Sequence, residues 1–329
     1  MFRSMRSSRH PARIACTSFL LVVACHAPSP SLPDPAASVT EAGVREELTV
    51  LAADSMEGRG TATAGGARAA RFIAAELARA GVAPAGDSGY FQRVPTRRGL
   101  AVNVIGLVRG IDPVRRDSAV VVAAHYDHLG IGRPVGGDSI YNGADDDASG
   151  VVTVLQVARA LARSKPGRTL IFLLTTGEEV GLLGTRRYLQ APVVPLDRTV
   201  AELEVEMIGR PDSLAGGAGR AWLTGYERST MGDMLKAAGS PIVPDPRPEQ
   251  HFFERSDNIA FARRGIPAHT LSSFNLHQDY HTPADDVTKV DFAHMTAVIR
   301  AAVAAVRELA SGPAPAWKAG GRPGPGRGE

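Results

Sequence analysis

Apolar segments of alternating strand and helix character run along the middle of the chain. "LAVNVIGLV", "SAVVVAAHYDH" and "RTLIFLLTTGEE" are short continuous apolar runs, which are typical of buried strands, whereas "GVVTVLQVARALARS" and "VGLLGTRRYLQ" have helical spacing. The same spacing predicts helices in "SVTEAGVREELTVLAA", "GGARAARFIAAELARAGV", "STMGDMLKAAG" and "VDFAHMTAVIRAAVAAVRELA", and further strands are predicted in "TVAELEVEMIG", "RAWLTG" and "IPAHTLSS". This alternation predicts an α/β fold, a three-layer sandwich in which a mostly parallel central sheet carries helices on both faces.

The two ends of the chain depart from this pattern. A basic start is followed by the short apolar run "IACTSFLLVVAC", which is typical of an export signal. The run ends on Cys25 and resembles the lipobox of bacterial lipoproteins; the alternative is an ordinary signal peptide with a chance cysteine. We therefore predict a lipoprotein signal peptide at 1–24, a Pro/Ser-rich tether at 25–38, a folded domain at 39–311 and a disordered Gly/Pro-rich tail at 312–329. The expected location is the cell envelope, with the protein exported and its only membrane attachment a lipid at Cys25.

Composition and charge narrow the functional classes. The chain has 329 residues, 44% of them hydrophobic and 22% charged, which is ordinary globular composition. The net charge is only +3, and no dense Lys/Arg stripe with interleaved aromatic residues is present, so nucleic acid is not an expected partner. The two cysteines are Cys16 and Cys25, and Cys16 would leave with the signal peptide. Stability is therefore expected to come from the core or from bound metal rather than from a disulfide.

Acidic and histidine residues stand where the predicted strands end. "HYDH", "GEE" and "EMIG" each close a strand, "GADDDASG" leads into a helix, and "DYHTPADD" follows a strand. Ligands gather at the carboxyl ends of strands in such sheets, so these side chains are expected to converge at one edge. Taken alone, the three aspartates of "GADDDASG" fit either an acidic helix start or a cation site. Together with the histidines they offer the nitrogen and oxygen ligands that zinc prefers.

In these motifs the chain resembles the secreted two-zinc aminopeptidases, relatives of bacterial leucyl aminopeptidase, glutamate carboxypeptidase and glutaminyl cyclase. Further matching stretches are "LTVLAADSMEGRGTATAGG", "GEEVGLLGT" and "SDNIAFARRGIPA". The resemblance covers nearly all of the 39–311 segment and implies a zinc peptidase domain that binds two zinc ions and hydrolyses peptides. The general base that activates a zinc-bound water would be Glu178. The resemblance assigns the remaining roles as follows: His125 and Glu206 bind the first zinc, Glu179 and His281 bind the second, Asp146 bridges the two, and Asp127 holds His125.

One position departs from the family pattern. Many members have aspartate where this chain has Glu206, which changes the geometry expected at the first zinc; Glu204, on the same face of the strand, is the less favoured substitute. The neighbours Asp145 and Asp147 are expected to shape the loop and the helix start, and Asp285 and Asp286 to begin a helix. His128 is interpreted as a loop residue near the site rather than as a ligand.

The expected function is an exported zinc aminopeptidase that removes the N-terminal residue of peptides. Three alternatives stay open at this point. One is a carboxypeptidase or dipeptidase of the same two-zinc architecture, and another is a glutaminyl cyclase, which uses one zinc. The third is a non-catalytic, lipid-anchored binding domain, which the intact ligand set disfavours.

Overall fold

The computed structural model describes residues 1–2 and 34–324. The helices are α1 (Glu41–Leu51), α2 (Ala64–Arg79), α3 (Gly150–Leu161), α4 (Leu183–Gln190), α5 (Met231–Ala237), α6 (Asn258–Arg263) and α7 (Phe292–Ser311). The strands are β1 (Ala83–Pro84), β2 (Phe91–Thr96), β3 (Gly99–Val108), β4 (Ala119–His125), β5 (Gly130–Val135), β6 (Asp138–Tyr141), β7 (Thr169–Thr175), β8 (Thr199–Val205), β9 (Ala221–Leu223), β10 (Ile242–Pro244) and β11 (Ala268–Ser272). The predicted signal peptide, beyond its first two residues, and the tether up to residue 33 lie outside the described part of the chain.

Nine of the described strands form one sheet, in the order β1, β3, β7, β4, β8, β11, β9 and β10, with β2 also paired to β3. The four central strands β7, β4, β8 and β11 are mutually parallel. Their flanking neighbours β3 and β9 run antiparallel to them. The predicted α/β class is therefore confirmed, and the parallel part of the sheet is its centre, where the strand ends carry the candidate ligands.

The two faces of the sheet bury separate cores. Along β4, Val120 and Val122 face a cluster built with α1, α2, α3 and α7. The alternate residues Val121 and Ala123 face a second cluster that includes residues of α4 and α6. Because strand side chains alternate between faces, a strand buried on both sides is apolar throughout, as the continuous run of β4 predicts. The helices on both faces make the predicted three layers.

The folded region extends beyond both predicted boundaries. At its start, Pro35–Ser38 forms a short 3₁₀ helix and Ala36 is buried in the core. At its end, the Trp317 ring packs on Phe253 and donates its indole N–H to the carbonyl of Gly265 at 2.9 Å. The predicted disorder of 312–329 is thus wrong for residues 312–324, because Trp317 finds a partly buried site that composition does not reveal. Residues 325–329 lie outside the description.

Among the residues that the structure describes, no helix is long and apolar enough to cross a membrane.

Candidate metal centre

The candidate ligands and the candidate base, Glu178, lie at the carboxyl edge of the central strands. His125 is the last residue of β4, Glu178 and Glu179 follow β7, and Glu206 follows β8. The remaining two come from connections: Asp146 from the irregular segment before α3, and His281 from the long segment between β11 and α7. Parallel strands bring their ends to one edge of the sheet, so residues far apart in sequence meet there.

Asp146 lies between two groups of side chains. Its Oδ1 atom is 3.3 Å from Nε2 of His125, and Glu206 Oε1 is 3.9 Å from the same nitrogen. Its Oδ2 atom is 3.0 Å from Nε2 of His281, which is 3.3 Å from Glu179 Oε1. The two carboxylate oxygens of Asp146 thus face different groups, and this is the arrangement that a carboxylate bridging two metal ions requires. The groups that could hold an ion are His125, Asp146 and Glu206 on one side, and His128, Asp146, Glu179 and His281 on the other.

Several of these atoms are buried without a hydrogen-bond partner among the described residues. They include Nε2 of His125, Nε2 of His281 and Oε1 of Glu179. Burying a polar atom without a hydrogen-bond partner costs free energy, and such an atom usually marks the place where an ion, a water or a ligand binds. The imidazole nitrogens and carboxylate oxygens here match the preferred zinc donors, so the residues present fit a zinc centre.

The electrostatics of the centre favour bound cations. Burial raises the pKa of Glu178 to about 9, and the neighbouring carboxylates Glu206 and Glu179 add to the shift. Burial lowers the pKa of His281, but the carboxylates of Asp146 and Glu179 outweigh this effect and raise the pKa to about 10. Burial is the larger cause for Glu178, whereas the neighbouring carboxylates contribute to both shifts. Divalent ions would offset this charge and favour the ionised form of Glu178.

Asp127 does not hold His125 in the predicted way. The Nδ1 atom of His125 lies 3.1 Å from the backbone carbonyl oxygen of Asp127, not from its carboxylate. The Asp127 carboxylate instead accepts hydrogen bonds from the Thr61 hydroxyl at 2.6 Å and from the backbone N–H of Glu178 at 3.2 Å. Asp127 therefore fixes His125 through its main chain, while its side chain positions the loop that carries Glu178.

The other aspartates shape the loop around Asp146. The Asp147 carboxylate accepts the N–H of Gly150 at 2.9 Å, at the start of α3, and Asp145 accepts the N–H of Gly209 at 2.6 Å. These contacts agree with the expected loop-shaping roles. Asp285 differs from expectation, because its carboxylate accepts the N–H groups of Asp145 and Asp146 at 3.0–3.1 Å instead of beginning a helix.

Glycine permits the close packing of this loop. Gly143 has a φ of +56°, and a Cβ there would lie 2.2 Å from the carbonyl oxygen of Asp146. A side chain at residue 143 is therefore excluded both by backbone conformation and by space. Asp286 caps the short 3₁₀ helix Val287–Lys289, as a helix-start residue should.

Glu204, within β8, and Glu206, which follows it, have different surroundings. Glu206 belongs to the group that could hold an ion, and its side chain is 20% exposed. Glu204 is fully buried, and neither of its carboxylate oxygens has a hydrogen-bond partner in the described part of the chain. Burial raises the pKa of Glu204 well above its ordinary value, which favours a neutral carboxylic acid. The geometry thus places Glu206, not Glu204, beside His125.

Sequence reasoning missed two residues at the centre. His128, interpreted there as a loop residue, has Nδ1 2.8 Å from Oε1 of Glu179 and 3.7 Å from Oδ2 of Asp146. The available signal was its place in "HYDH", three residues after a predicted ligand. A loop position, however, does not predict where the side chain of a histidine points. The second is Arg59, within the "EGRG" sequence of the segment that connects α1 and α2.

Arg59 holds the backbone of the loops around the centre. Its guanidinium is fully buried and donates to the carbonyls of Leu51, Tyr126, Asn142 and Gly143 at 2.6–2.9 Å. A rigid planar donor group can satisfy several carbonyls at once, so one side chain fixes three separate segments of chain.

Comparisons with known proteins bear on this centre. The family model described as peptidase family M28 matches residues 103–306. Among curated proteins, the chain is 27% identical to a vacuolar membrane protease of Botryotinia fuckeliana over 213 residues, which cover 62% of this chain and 18% of that protein. It is 31% identical to a probable leucine aminopeptidase 2 of Aspergillus fumigatus over 171 residues, 50% of this chain and 32% of that protein. The matched part is thus less than a third of these relatives' own length.

Solved structures share the fold. An aminopeptidase from Aneurinibacillus sp. strain AM-1 is similar with a TM-score of 0.66 at 15% identity, covering 84% of this chain and 96% of that one. A zinc-dependent exopeptidase from Parabacteroides distasonis is similar with a TM-score of 0.62 at 18% identity, covering 84% and 99%. At these identities the likeness concerns the fold.

Proposed function

Because the chain belongs to peptidase family M28, we propose that it is a zinc-dependent exopeptidase, an aminopeptidase that removes the N-terminal residue of peptides. The observation that carries the proposal is Asp146, whose two carboxylate oxygens face separate histidine and carboxylate groups. Two zinc ions are the proposed content of the centre. The relatives described as a zinc exopeptidase and a leucine aminopeptidase support the choice of metal and of reaction class.

The proposed mechanism divides the work between the metal and the side chains. Zinc, held by the ligand groups around Asp146, would polarise the scissile carbonyl and lower the pKa of water there. Glu178 lines the cavity beside Asp146 and Glu206, and it belongs to neither group that could hold an ion. Its carboxylate is thus free to accept a proton from the attacking water and to deliver it to the leaving amine. The backbone N–H of Glu178, held by Asp127, keeps that carboxylate in place.

The proposal includes the location of the protein. The basic and apolar residues before the tether support export, and the "LVVAC" sequence supports lipid attachment at Cys25. Mass spectrometry of the mature N-terminus tests this part. A diacylated peptide that starts at Cys25 is the expected result, and an unmodified start elsewhere would contradict it.

The central experiment combines metal analysis with a substrate panel. Purified protein should contain about two zinc ions per chain and hydrolyse aminoacyl amides whose α-amine is free, but not their N-acetyl counterparts. Cleavage that requires a free α-carboxylate and tolerates a blocked amine would instead favour a carboxypeptidase. One zinc per chain together with cyclisation of N-terminal glutamine would favour a glutaminyl cyclase.

A further inference from the structure

The turn that carries His281 is the least buried part of the metal centre. His281 lies in the connection between β11 and α7, and its φ is +57°, in the left-handed region that costs free energy for a residue other than glycine. Its side chain is 33% exposed, whereas the side chains of His125 and His128 are buried. Burial alone therefore does not hold His281 in place, and a strained conformation persists only where surrounding contacts fix it.

Arg210 contacts the chain on both sides of this turn. Its Nη1 atom is 2.6 Å from Oδ2 of Asp279, two residues before His281, and its Nη2 atom is 3.4 Å from Oδ1 of Asp285, four residues after it. The Arg210 side chain is 11% exposed and that of Asp285 is fully buried, so water screens these contacts less than those of a surface ion pair. The donors of a planar guanidinium have fixed directions, so one side chain determines where both carboxylates lie.

Asp285 connects this arginine to the residue predicted to bridge the ions. Its carboxylate accepts the N–H of Asp146 at 3.0 Å and the N–H of Asp145 at 3.1 Å. Its backbone carbonyl accepts the N–H of Ala144 at 3.0 Å. One buried carboxylate therefore contacts both the guanidinium of Arg210 and the backbone of Asp146.

The backbone of Arg210 is itself attached to the same connection. Arg210 belongs to the segment that follows β8 and carries Glu206. The Ser273 hydroxyl donates to the carbonyl of Arg210 at 2.7 Å, and the Asn275 amide donates to the carbonyl of Pro211 at 3.1 Å. The segment after β8 and the beginning of the connection are thus joined at their main chains, which gives the guanidinium a fixed starting point.

We propose that Arg210 is a positioning residue that holds the His281 turn at a fixed distance from Asp146 and so sets the geometry of the second zinc. It acts through Asp279 and Asp285, the two carboxylates that flank the turn. Arg210 belongs to neither group that could hold an ion, so its role is to place a ligand rather than to be one. This inference rests on the proposed two-zinc function and adds a residue on which the second ion depends.

Loss of these contacts should affect the two ions differently. His281 belongs to the group of the second ion, and its turn is the part that Arg210 holds. The first ion's His125 is the last residue of β4, and Glu206 directly follows β8, so the sheet itself places both of them. Residues that orient a metal ligand typically change metal affinity by about 10- to 100-fold, and we expect a change of this size for the second ion alone.

The test is competition between zinc-loaded full-length protein and a chelator, with the zinc retained per chain as the readout. In Arg210→Gln, one of the two zinc equivalents should bind about 10- to 100-fold more weakly than in the wild-type protein. The other equivalent should keep its affinity. His281→Ala, which removes the ligand itself, should weaken the same equivalent and so identifies it.

Arg247→Gln is the matched control. The Arg247 side chain is also 11% exposed, and it pairs with both oxygens of the fully buried Asp212, two residues after Arg210. Its side-chain hydrogen bonds in the described part of the chain go to Asp212 and not to the His281 turn. This variant therefore removes a comparable ion pair nearby, and it should leave the affinity of both zinc equivalents unchanged.

A second variant tests the route through Asp279. Asp279→Asn removes the more exposed of the two carboxylates and should weaken the same zinc equivalent, which decides the question even if Arg210→Gln does not fold. If Arg210 acts through Asp279, the double variant should lose less affinity than the sum of the two single losses. Arg210→Lys keeps the charge but lacks the planar set of donors, so it should restore only part of the affinity.

The outcomes separate this inference from the proposed function. A wild-type protein that binds two zinc ions, with both affinities unchanged in Arg210→Gln and Asp279→Asn, would overturn the inference and leave the proposed function intact. Equal weakening of both equivalents in Arg210→Gln and in Arg247→Gln would also overturn it, because the arginine would then act on the fold in general. A wild-type protein that binds fewer than two zinc ions would overturn the proposed content of the centre and this inference with it.

Discussion

The Nδ1 atom of His128 lies 2.8 Å from the Oε1 atom of Glu179, inside the group that could hold the second ion. We predict that His128→Asn weakens zinc binding about 10- to 100-fold, whether His128 binds the metal itself or orients Glu179. Competition with a chelator of known affinity measures this effect without reference to activity.

The control for this variant is His251→Asn. His251 is exposed and has a φ of +54°, a conformation that asparagine tolerates. The zinc affinity of the His251→Asn variant should equal that of the wild-type protein. Equal affinity for His128→Asn would show that His128 neither binds nor orients a metal ligand.

Glu178→Gln should separate catalysis from metal binding. The amide keeps the size of the side chain but cannot accept the proton of the attacking water, so we expect kcat to fall by about 10²- to 10⁴-fold. Zinc content, measured by plasma mass spectrometry, should stay unchanged because Glu178 belongs to neither candidate ligand group. Full activity in this variant would remove Glu178 from the mechanism.

Removal of zinc should destabilise the fold as well as stop the reaction. Without cations, the buried carboxylates around Asp146 repel one another, and a ligand that binds only the folded state stabilises it. Dialysis against a chelator should therefore lower the melting temperature, and stoichiometric zinc should restore it. An identical melting curve before and after chelation would contradict a structural contribution of the metal.

His269 should make stability depend on pH. Burial lowers the pKa of His269 to about 4, and its nitrogens lie 2.7 Å from the Thr224 carbonyl and the Ser229 hydroxyl. The unfolded chain takes up the proton near pH 6.5, so this contribution is fully present above that pH and is lost as the pH falls to 4. From the shift we expect a loss of about 3 kcal/mol. Urea unfolding between pH 7 and 4 should show that loss in the wild type beyond that of His269→Gln, and parallel curves would argue against it.

The segment after α7 should contribute to stability. Trp317 is partly buried against Phe253 and His269, and the N–H of Ala316 donates to the Thr230 hydroxyl at 2.9 Å. Because a large aromatic contact is lost, Trp317→Ala should lower the free energy of unfolding by roughly 2–3 kcal/mol. Ala319→Ser, further along the same segment, provides the comparison in urea unfolding. A loss below the error of that measurement would mean that the segment is only loosely held.

The positions of the ligands along the chain could be predicted from the sequence, because each one follows a strand that the neighbouring residues reveal. A buried parallel strand is a continuous apolar run, and the residue that ends it can be identified from the letters, as at His125 and Glu206. The strand ends of a parallel sheet share an edge, so the prediction that they converge needs no side-chain detail. The irregular strands β5 and β6 carried no such signal, because they are a largely exposed hairpin with little apolar alternation.

The contacts that sequence reasoning missed depend on where side chains point and on partners that are far apart in the sequence. The pattern "HYDH" does not determine whether His125 meets the carboxylate or the main-chain oxygen of Asp127, because both stand at the same sequence distance. The order of the final segment depends on Trp317 meeting residues that precede it by roughly fifty positions or more, a kind of contact that Gly/Pro-rich composition cannot indicate.

Arg59 and Thr61 have a consequence for how much of this chain is needed. The segment shared with the M28 family model starts at residue 103, yet both residues that brace the metal loops precede it. Grafting residues 103–306 into another host would transfer every predicted ligand and leave behind the guanidinium that gathers the loops. The part of the chain that holds the metal loops together is thus larger than the part that the family model matches, and it includes the amino-terminal segment that carries Arg59 and Thr61.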